Sequence, residues 1–242
     1  MKILTDLHTH TSASTHSYSS LLENAKCAAE KGLELIAMTN HGPAIEDGAH
    51  AFHFNNMDVL PDEIYGVRIL RGIEANALDI NGNLDIPSTA LSKPCLDLVI
   101  ASCHSPFLDY DKVFQPSSES EFVQLYENFA RNSLIDIMGH MNRTEFMSNL
   151  DYVIPMLQKN NKVIEINPHC AKEKWRQGLF VLIDACLKHK ARITVCSDAH
   201  FCLGIGDFRG IDDYLTEIGY SEELVVNRNM ESVLNWLSER NR

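Results

Sequence analysis

Residues 2–10 read KILTDLHTH, a short apolar run that closes on two histidines. In a strand, residues i and i+2 point to the same face, so His8 and His10 aim two imidazoles at one point, a metal-ligand spacing. An H-x-H pair alone is equally what two polar residues at a strand end look like. The pattern gains weight because it recurs. LELIAMTNH (33–41), VRILRGIEAN (67–76), LDLVIASCH (96–104), LIDIMGH (134–140), KVIEIN (162–167) and ARITVCSDAH (191–200) are further apolar runs. All but KVIEIN supply a candidate ligand at or near the C-terminal end.

Helical stretches separate these runs. Ser20 to Lys31 opens on a Ser20-x-x-Glu23 capping box and stops at Gly32. A Gly/Pro-containing loop and a short helix follow the second run, and a Ser-rich cap at 117–120 starts a helix through Arg131. Further helices are expected near 148–160, 177–190 and 208–218, then a short strand ELVVN (223–227) and an amphipathic helix to about Glu239. Strand alternating with helix implies parallel strands joined by crossovers, hence an α/β fold. An open sheet spreads its strand ends along a line, whereas a barrel brings them together at one rim. The polar strand ends favour convergence, so the expectation is a distorted (β/α)7 TIM-like barrel, a single domain over 1–242.

Composition sets the outer limits. Hydrophobic residues make up 45% and charged residues 22%, enough for a sizeable core. Asp+Glu 33 against Lys+Arg 21 gives a net charge of −12, which offers no electrostatic footprint for nucleic acid or an anionic membrane. The seven cysteines (27, 95, 103, 170, 186, 196 and 202) form no C-x-x-C pair, which fits free thiols in a reducing cytoplasm. No apolar run approaches the ~20 residues of a membrane span, and the N-terminus lacks the pattern of a secretory signal.

Nine polar groups thus gather at one rim: His8, His10, His16, His41, Glu74, His104, His140, Asp198 and His200. Zinc takes about four donors, so nine ligands, some bridging, suit three divalent ions. Imidazole-rich sites suit zinc, with manganese or iron as alternatives. Such cations suit hydrolysis of a phosphate ester: they bind phosphoryl oxygens, generate hydroxide from a bridging water and stabilise the leaving alkoxide. Ser105 and Cys103 flank His104 without a recognisable base, so covalent catalysis is not expected. Arg143 and His169 are the candidate phosphate contacts outside the metals. Arg71, His50, His53, His189 and Cys202 read as structural, and Asp6 as a buttress for a ligand histidine.

The motifs D-x-H-x-H at 6–10, His16, T-N-H-G at 39–42, G-I-E-A-N at 72–76, C-H at 103–104, G-H at 139–140 and S-D-A-H at 197–200 resemble the PHP (polymerase and histidinol phosphatase) superfamily. Length, A-S-T-H-x-Y-S at 13–19 and the segment around His50–Met57 resemble its small stand-alone YcdX-like phosphatases. The resemblance implies a trinuclear site in which His8, His10, Glu74 and Asp198 hold one metal. Glu74, His104 and His140 hold a second, with Glu74 bridging, and His16, His41 and His200 hold the third. It implies a phosphomonoesterase on a small phosphorylated metabolite, with attack by a metal-bridging hydroxide and Glu74, Asp198 and His200 as catalytic residues. Asp198 is a candidate acceptor for the water proton. Two departures from the family pattern stand nearby: Asn40 where Asp is frequent, and Met141 where Pro follows the histidine. The alternatives are histidinol phosphatase, a nuclease or phosphodiesterase, a non-catalytic metal-binding module and an amidohydrolase. An amidohydrolase would commonly place a bridging Lys where Glu74 and His104 stand.

Overall fold

The apolar runs form the strands β1 (Thr5–Thr9), β2 (Leu35–Met38), β4 (Val67–Asn76), β5 (Leu98–Ser102), β6 (Ile137–Met138), β7 (Val163–Ile166) and β8 (Ile193–Val195). The computed structural model describes residues 1–92, 96–104, 113–143, 146, 149–169 and 173–240. Cys95, Ser105 and Cys170, singled out above, lie outside them. The strands pair in parallel in the order β1-β2-β4-β5-β6-β7-β8. They are almost wholly buried, as expected when helices cover the outside and side chains fill the inside. The sequence did not suggest β3 (Glu63–Ile64), which pairs antiparallel with β4. Its two-residue turn, Tyr65 and Gly66, has φ of 54° and 78°, the left-handed pair of a type I′ hairpin.

Eight helices are present among the described residues: α1 (Leu21–Glu30), α2 (Ala51–Asn55), α3 (Ser88–Ser92), α4 (Glu119–Arg131), α5 (Leu150–Lys159), α6 (Glu173–His189), α7 (Ile211–Glu217) and α8 (Met230–Ser238). The capping box forms, with Ser20 accepting from the Glu23 amide and Glu23 accepting from the Ser20 amide. At the other end Gly32 takes φ +73°, a conformation that favours glycine. The fourth helix is capped by Ser118, inside the Ser-rich stretch.

Within the barrel the strands change character along their length. Leu35, Leu70, Leu98, Ile137, Val163 and Cys196 share one buried apolar cluster, closed below by Val233 and Trp236 of α8. Two or four residues further along the same strand faces stand Thr39, Glu74, Ser102, Glu165 and Asp198, all buried and polar. Leu7 belongs to the apolar layer, so a regular strand would turn His8 outward. The register between Asp6 and Thr9 slips against β2. Such a bulge re-aims side chains, and here His8 and His10 both join the polar layer.

The barrel closes at a seam between β1 and β8. A single parallel bridge joins Thr9 to Ala199, where the His10 amide donates to the Ala199 carbonyl at 2.9 Å. The expected strand ELVVN is not one. Glu222–Leu224 is a 3-10 turn, and one bridge links Val225 to Ile193. Asn227 does the rest with its side chain. Its Nδ2 donates to the carbonyls of Thr5 (3.0 Å) and Val195 (2.7 Å), and its Oδ1 accepts from the Val195 amide at 3.0 Å. A short apolar stretch ending in Asn227 thus serves as a clasp over two short strand edges.

Candidate metal centre

Glu74, fully buried near the end of β4, stands at the centre of the polar layer. Its Oε2 lies 3.2 Å from His8 Nε2, 3.5 Å from His10 Nε2 and 2.7 Å from His41 Nδ1. Its Oε1 lies 2.8 Å from His140 Nε2 and 3.2 Å from His104 Nε2. One carboxylate therefore divides five imidazoles between its two oxygens. Asp198 adds Oδ1 at 3.1 Å from His10 Nε2 and 3.5 Å from His8 Nε2.

Three groups of ligand atoms each fall within 4.8 Å of one another: His8 with His10, Glu74 and Asp198; His41 with Glu74 and His104; and His10 with His41 and His200. The first is the set expected for one metal. The others share residues between the expected sets, because His41 and His10 lie between neighbouring groups. His140 reaches the cluster through Glu74. His16 stands at the edge, 44% exposed, stacked on His200 at 4.3 Å and holding Asp47 Oδ2 at 2.6 Å from its Nδ1.

The donors fit a cation. His8 Nε2, His10 Nδ1, His41 Nδ1, His104 Nε2 and Glu74 Oε2 are buried without a hydrogen-bond partner, a costly arrangement unless something of opposite charge lies among them. Several imidazoles are also fixed from behind. Glu165 accepts from His8 Nδ1 at 2.7 Å and Asn76 Oδ1 from His104 Nδ1 at 2.6 Å, which turns each Nε2 lone pair toward Glu74. Asp85 in turn holds Asn76 by its amide and side chain, both at 2.7 Å. Glu165 also accepts from the His140 amide at 2.6 Å. Two of the candidate ligands take strained backbones: His140 has φ 24° and Asp198 φ 53°, a cost that surrounding structure must offset and that is common at functional sites.

Burial lowers the pKa of His10, of His140, and of His200 to about 4, so these rings are neutral ligands at neutral pH. For His8 burial acts the same way, but Glu165, Glu74 and Asp198 outweigh it and hold its pKa well above the usual value. Burial raises Glu74 and Asp198, yet the surrounding imidazoles, joined by Arg143 at Asp198, keep both carboxyls well below their ordinary range. This excess of carboxylate around His8 is what a divalent cation neutralises.

Arg143 is drawn into the site: its Nη2 donates to Asp198 Oδ2 at 2.7 Å and to the His169 carbonyl at 3.0 Å. Its Nε is buried without a partner among the described residues. His169 lies beyond it on the rim, its Nδ1 3.4 Å from Arg209. Beside them a cleft of about 390 Å³ reaches from His200 to Arg209.

The residues read as structural find local partners. Arg71 pairs with Asp62 and Asp97, His50 caps α2, and His189 pairs with Asp151. Asp6 buttresses His8 as expected, by accepting from its backbone amide at 3.5 Å. It also accepts from Ser197 and from the Gly206 amide, tying β1 to the loop after β8. Burial pushes the Cys103 thiol up to about 12, so it carries no thiolate at neutral pH. Glu165, Asn167, Asn76, Asp85 and Asp47 were missed: the first three stand at or near strand ends but were not read as ligands, and Asp85 and Asp47 lie in loops.

The PHP domain family model matches residues 6–169. A probable phosphatase of Clostridium botulinum (strain Hall) is 37% identical over 242 residues, 99% of this chain and 96% of the relative. One from Thermoanaerobacter sp. (strain X514) is 36% identical over 246 residues, 100% and 97%. Among solved structures, histidinol phosphate phosphatase from Lactococcus lactis, complexed with zinc, L-histidinol and phosphate, superposes with a TM-score of 0.65. Its identity is 20%, with 91% of this chain and 95% of that one covered. That likeness is one of fold.

Proposed function

The chain belongs to the PHP domain family, and from that premise we propose that it is a metal-dependent phosphomonoesterase acting on a small phosphorylated molecule. It is a hydrolase of phosphoric ester bonds. The observation that carries the reading is the division of Glu74 between two groups of imidazoles, Oε2 toward His8, His10 and His41 and Oε1 toward His104 and His140, the arrangement of a bridging ligand.

Three divalent cations, zinc first and manganese or iron next, are held by His8, His10, Glu74 and Asp198, by Glu74, His104 and His140, and by His16, His41 and His200. When bound, they supply positive charge to the phosphoryl oxygens, acidify a water and stabilise the departing oxygen. The protein side chains do the remaining work. Arg143, its guanidinium fixed by the bond to Asp198, is the candidate phosphate contact beside the cluster. Glu74 and Asp198 carry the negative charge that collects the cations. The Arg143 and Asn167 bonds to Oδ2 leave Asp198 a weak proton acceptor. His200 stands where cluster and cleft meet, beside the path of the leaving group, and His169 lines that path.

The whole chain, 1–242, is taken as one catalytic domain, because the seam joins the first strand to the last. Among the described residues no helix is long and apolar enough to cross a membrane. The described cysteines Cys27, Cys103, Cys186, Cys196 and Cys202 are all free, which supports a reducing, cytoplasmic setting.

The test is phosphate release from an aryl phosphate monoester by protein of measured metal content, with His140→Ala alongside. Turnover by the wild type that falls at least ~100-fold in the variant is expected. A fully loaded wild type that releases no phosphate, yet degrades single-stranded DNA, would replace the reading with a nuclease.

A further inference from the structure

The cleft beside the cluster is larger than a phosphate needs. It holds about 390 Å³, within the range of small-molecule pockets, roughly 300–1,000 Å³. His200 belongs to both spaces: its ligand atom is within 4.8 Å of those of His10 and His41, and its ring lines the cleft. An ester whose phosphorus sits at the cluster therefore extends its leaving group into this cleft.

The walls of the cleft have a definite chemistry. Tyr18 and Phe201 both line it and stand 79% and 48% exposed, two large aromatic side chains left toward water at the mouth of a site. Their backbones are fixed there. The Tyr18 amide donates to the His200 carbonyl at 2.9 Å, and the Phe201 carbonyl accepts from Gly204 at 2.8 Å.

Arg209 lines the same cleft. Its backbone sits at φ +50°, outside the region an arginine prefers, with its amide on Asp207 Oδ1 at 3.2 Å. A strained residue held in place by its neighbours is a frequent mark of function. Its guanidinium makes no ion pair among the described residues. Among the described residues its guanidinium contacts His169 Nδ1 at 3.4 Å, whose pKa burial keeps below its usual value. Although Asp207 shares the cleft, it makes no ion pair with Arg209, leaving donors for an anion.

We propose that this cleft is a leaving-group subsite for an aromatic or heteroaromatic alcohol that carries a second anionic group. The ring lies along Tyr18 and Phe201, and the anion meets Arg209. The inference rests on the phosphatase reading above and narrows its substrate. In the reaction the P–O ester bond breaks, water adds its oxygen to phosphorus, and the leaving oxygen takes a proton and departs as the alcohol with its second anion intact.

The experiment compares ethyl, benzyl and 4-carboxybenzyl phosphate on zinc-loaded protein. All three release an unactivated primary alcohol, so differences in kcat/KM report binding of the leaving group rather than its acidity. Ratios taken within one preparation cancel differences in folding and metal content. The wild type is expected to favour benzyl over ethyl, and 4-carboxybenzyl over benzyl, each by about tenfold. Phe201→Ala should collapse the first ratio toward one and Arg209→Ala the second. Calorimetric binding of 4-carboxybenzylphosphonate, which is not hydrolysed, should weaken by about the same factor in Arg209→Ala. Hydrolysis of all three at similar kcat/KM would overturn the subsite and leave the phosphatase reading standing. Release of phosphate from none of them would sink that reading, and the subsite with it.

Discussion

Glu165 shows what single residues add to the centre. Fully buried in β7, it holds His8 by Nδ1 and His140 by its backbone amide, so it orients donors from two strands without being placed as a ligand itself. Glu165→Gln keeps the shape but loses the charge that favours the Nδ1–H form of His8. Zinc affinity is expected to fall about 10–100-fold, as is usual when a carboxylate behind a ligand histidine is removed; a zinc titration showing wild-type affinity would refute this. Asn40 makes the opposite point. Read from sequence it is a missing carboxylate, yet its Nδ2 donates to Thr11 Oγ1 at 2.9 Å and approaches His53 Nε2 at 3.0 Å, while its Oδ1 accepts from the Thr11 amide at 2.8 Å. Asn40→Asp replaces that donor with an acceptor in a buried position, and thermal unfolding should report a loss of about 1–3 kcal/mol. The candidate ligands were legible because residue type and strand-end position coincide. Glu165 was not, since its partners come from β1 and from His140, two residues past β6, neighbours that only the fold supplies.

Between neighbouring elements the centre depends on close approach. A Cβ on Gly139 would collide with Ser102 Oγ and come within 2.9 Å of Ile100 Cγ2. Gly139→Ala therefore pushes β6 from β5 and carries His140 with it. The expected result is a destabilisation of about 1–3 kcal/mol with reduced metal content, and a variant that melts and loads like the wild type would contradict the close packing seen here. The glycine stood in the G-H motif, but its reason lies in the adjacent strand. VRILRGIEAN reads as a strand over 67–76 and forms one with those bounds, because its apolar and β-branched content agrees with burial on both faces. The bulge in β1 carries no glycine or proline to announce it. ELVVN has the composition of a strand, but at the β1–β8 seam it forms one bridge instead of a ladder, and the Asn227 side chain bonds both edges.

For the whole molecule, cations held by such a cluster would contribute to stability as well as to chemistry. A ligand present at about 1,000 times its dissociation constant adds about 4 kcal/mol to the folded state, and a chain of this length shifts its Tm by about 2–4 °C per kcal/mol. Stripping metal with a chelator should thus lower Tm on the order of 10 °C, reversed by adding zinc back; coincident melts with and without chelator would argue against cations in this cluster. The barrel itself was legible because many polar strand ends call for one meeting point. Its closure was not, since a lone bridge and the Asn227 side chain leave no periodic trace. That closure has a consequence in time. His10 and Asp198, which face each other across the seam, are separated by 188 positions, roughly ten to forty seconds of synthesis at typical ribosome speeds. Throughout that interval the histidines of the first strand are made and the carboxylate opposite them does not yet exist. The group of His8, His10, Glu74 and Asp198 is therefore complete only once synthesis has passed Asp198, whereas His41, Glu74 and His104 are all made well before it.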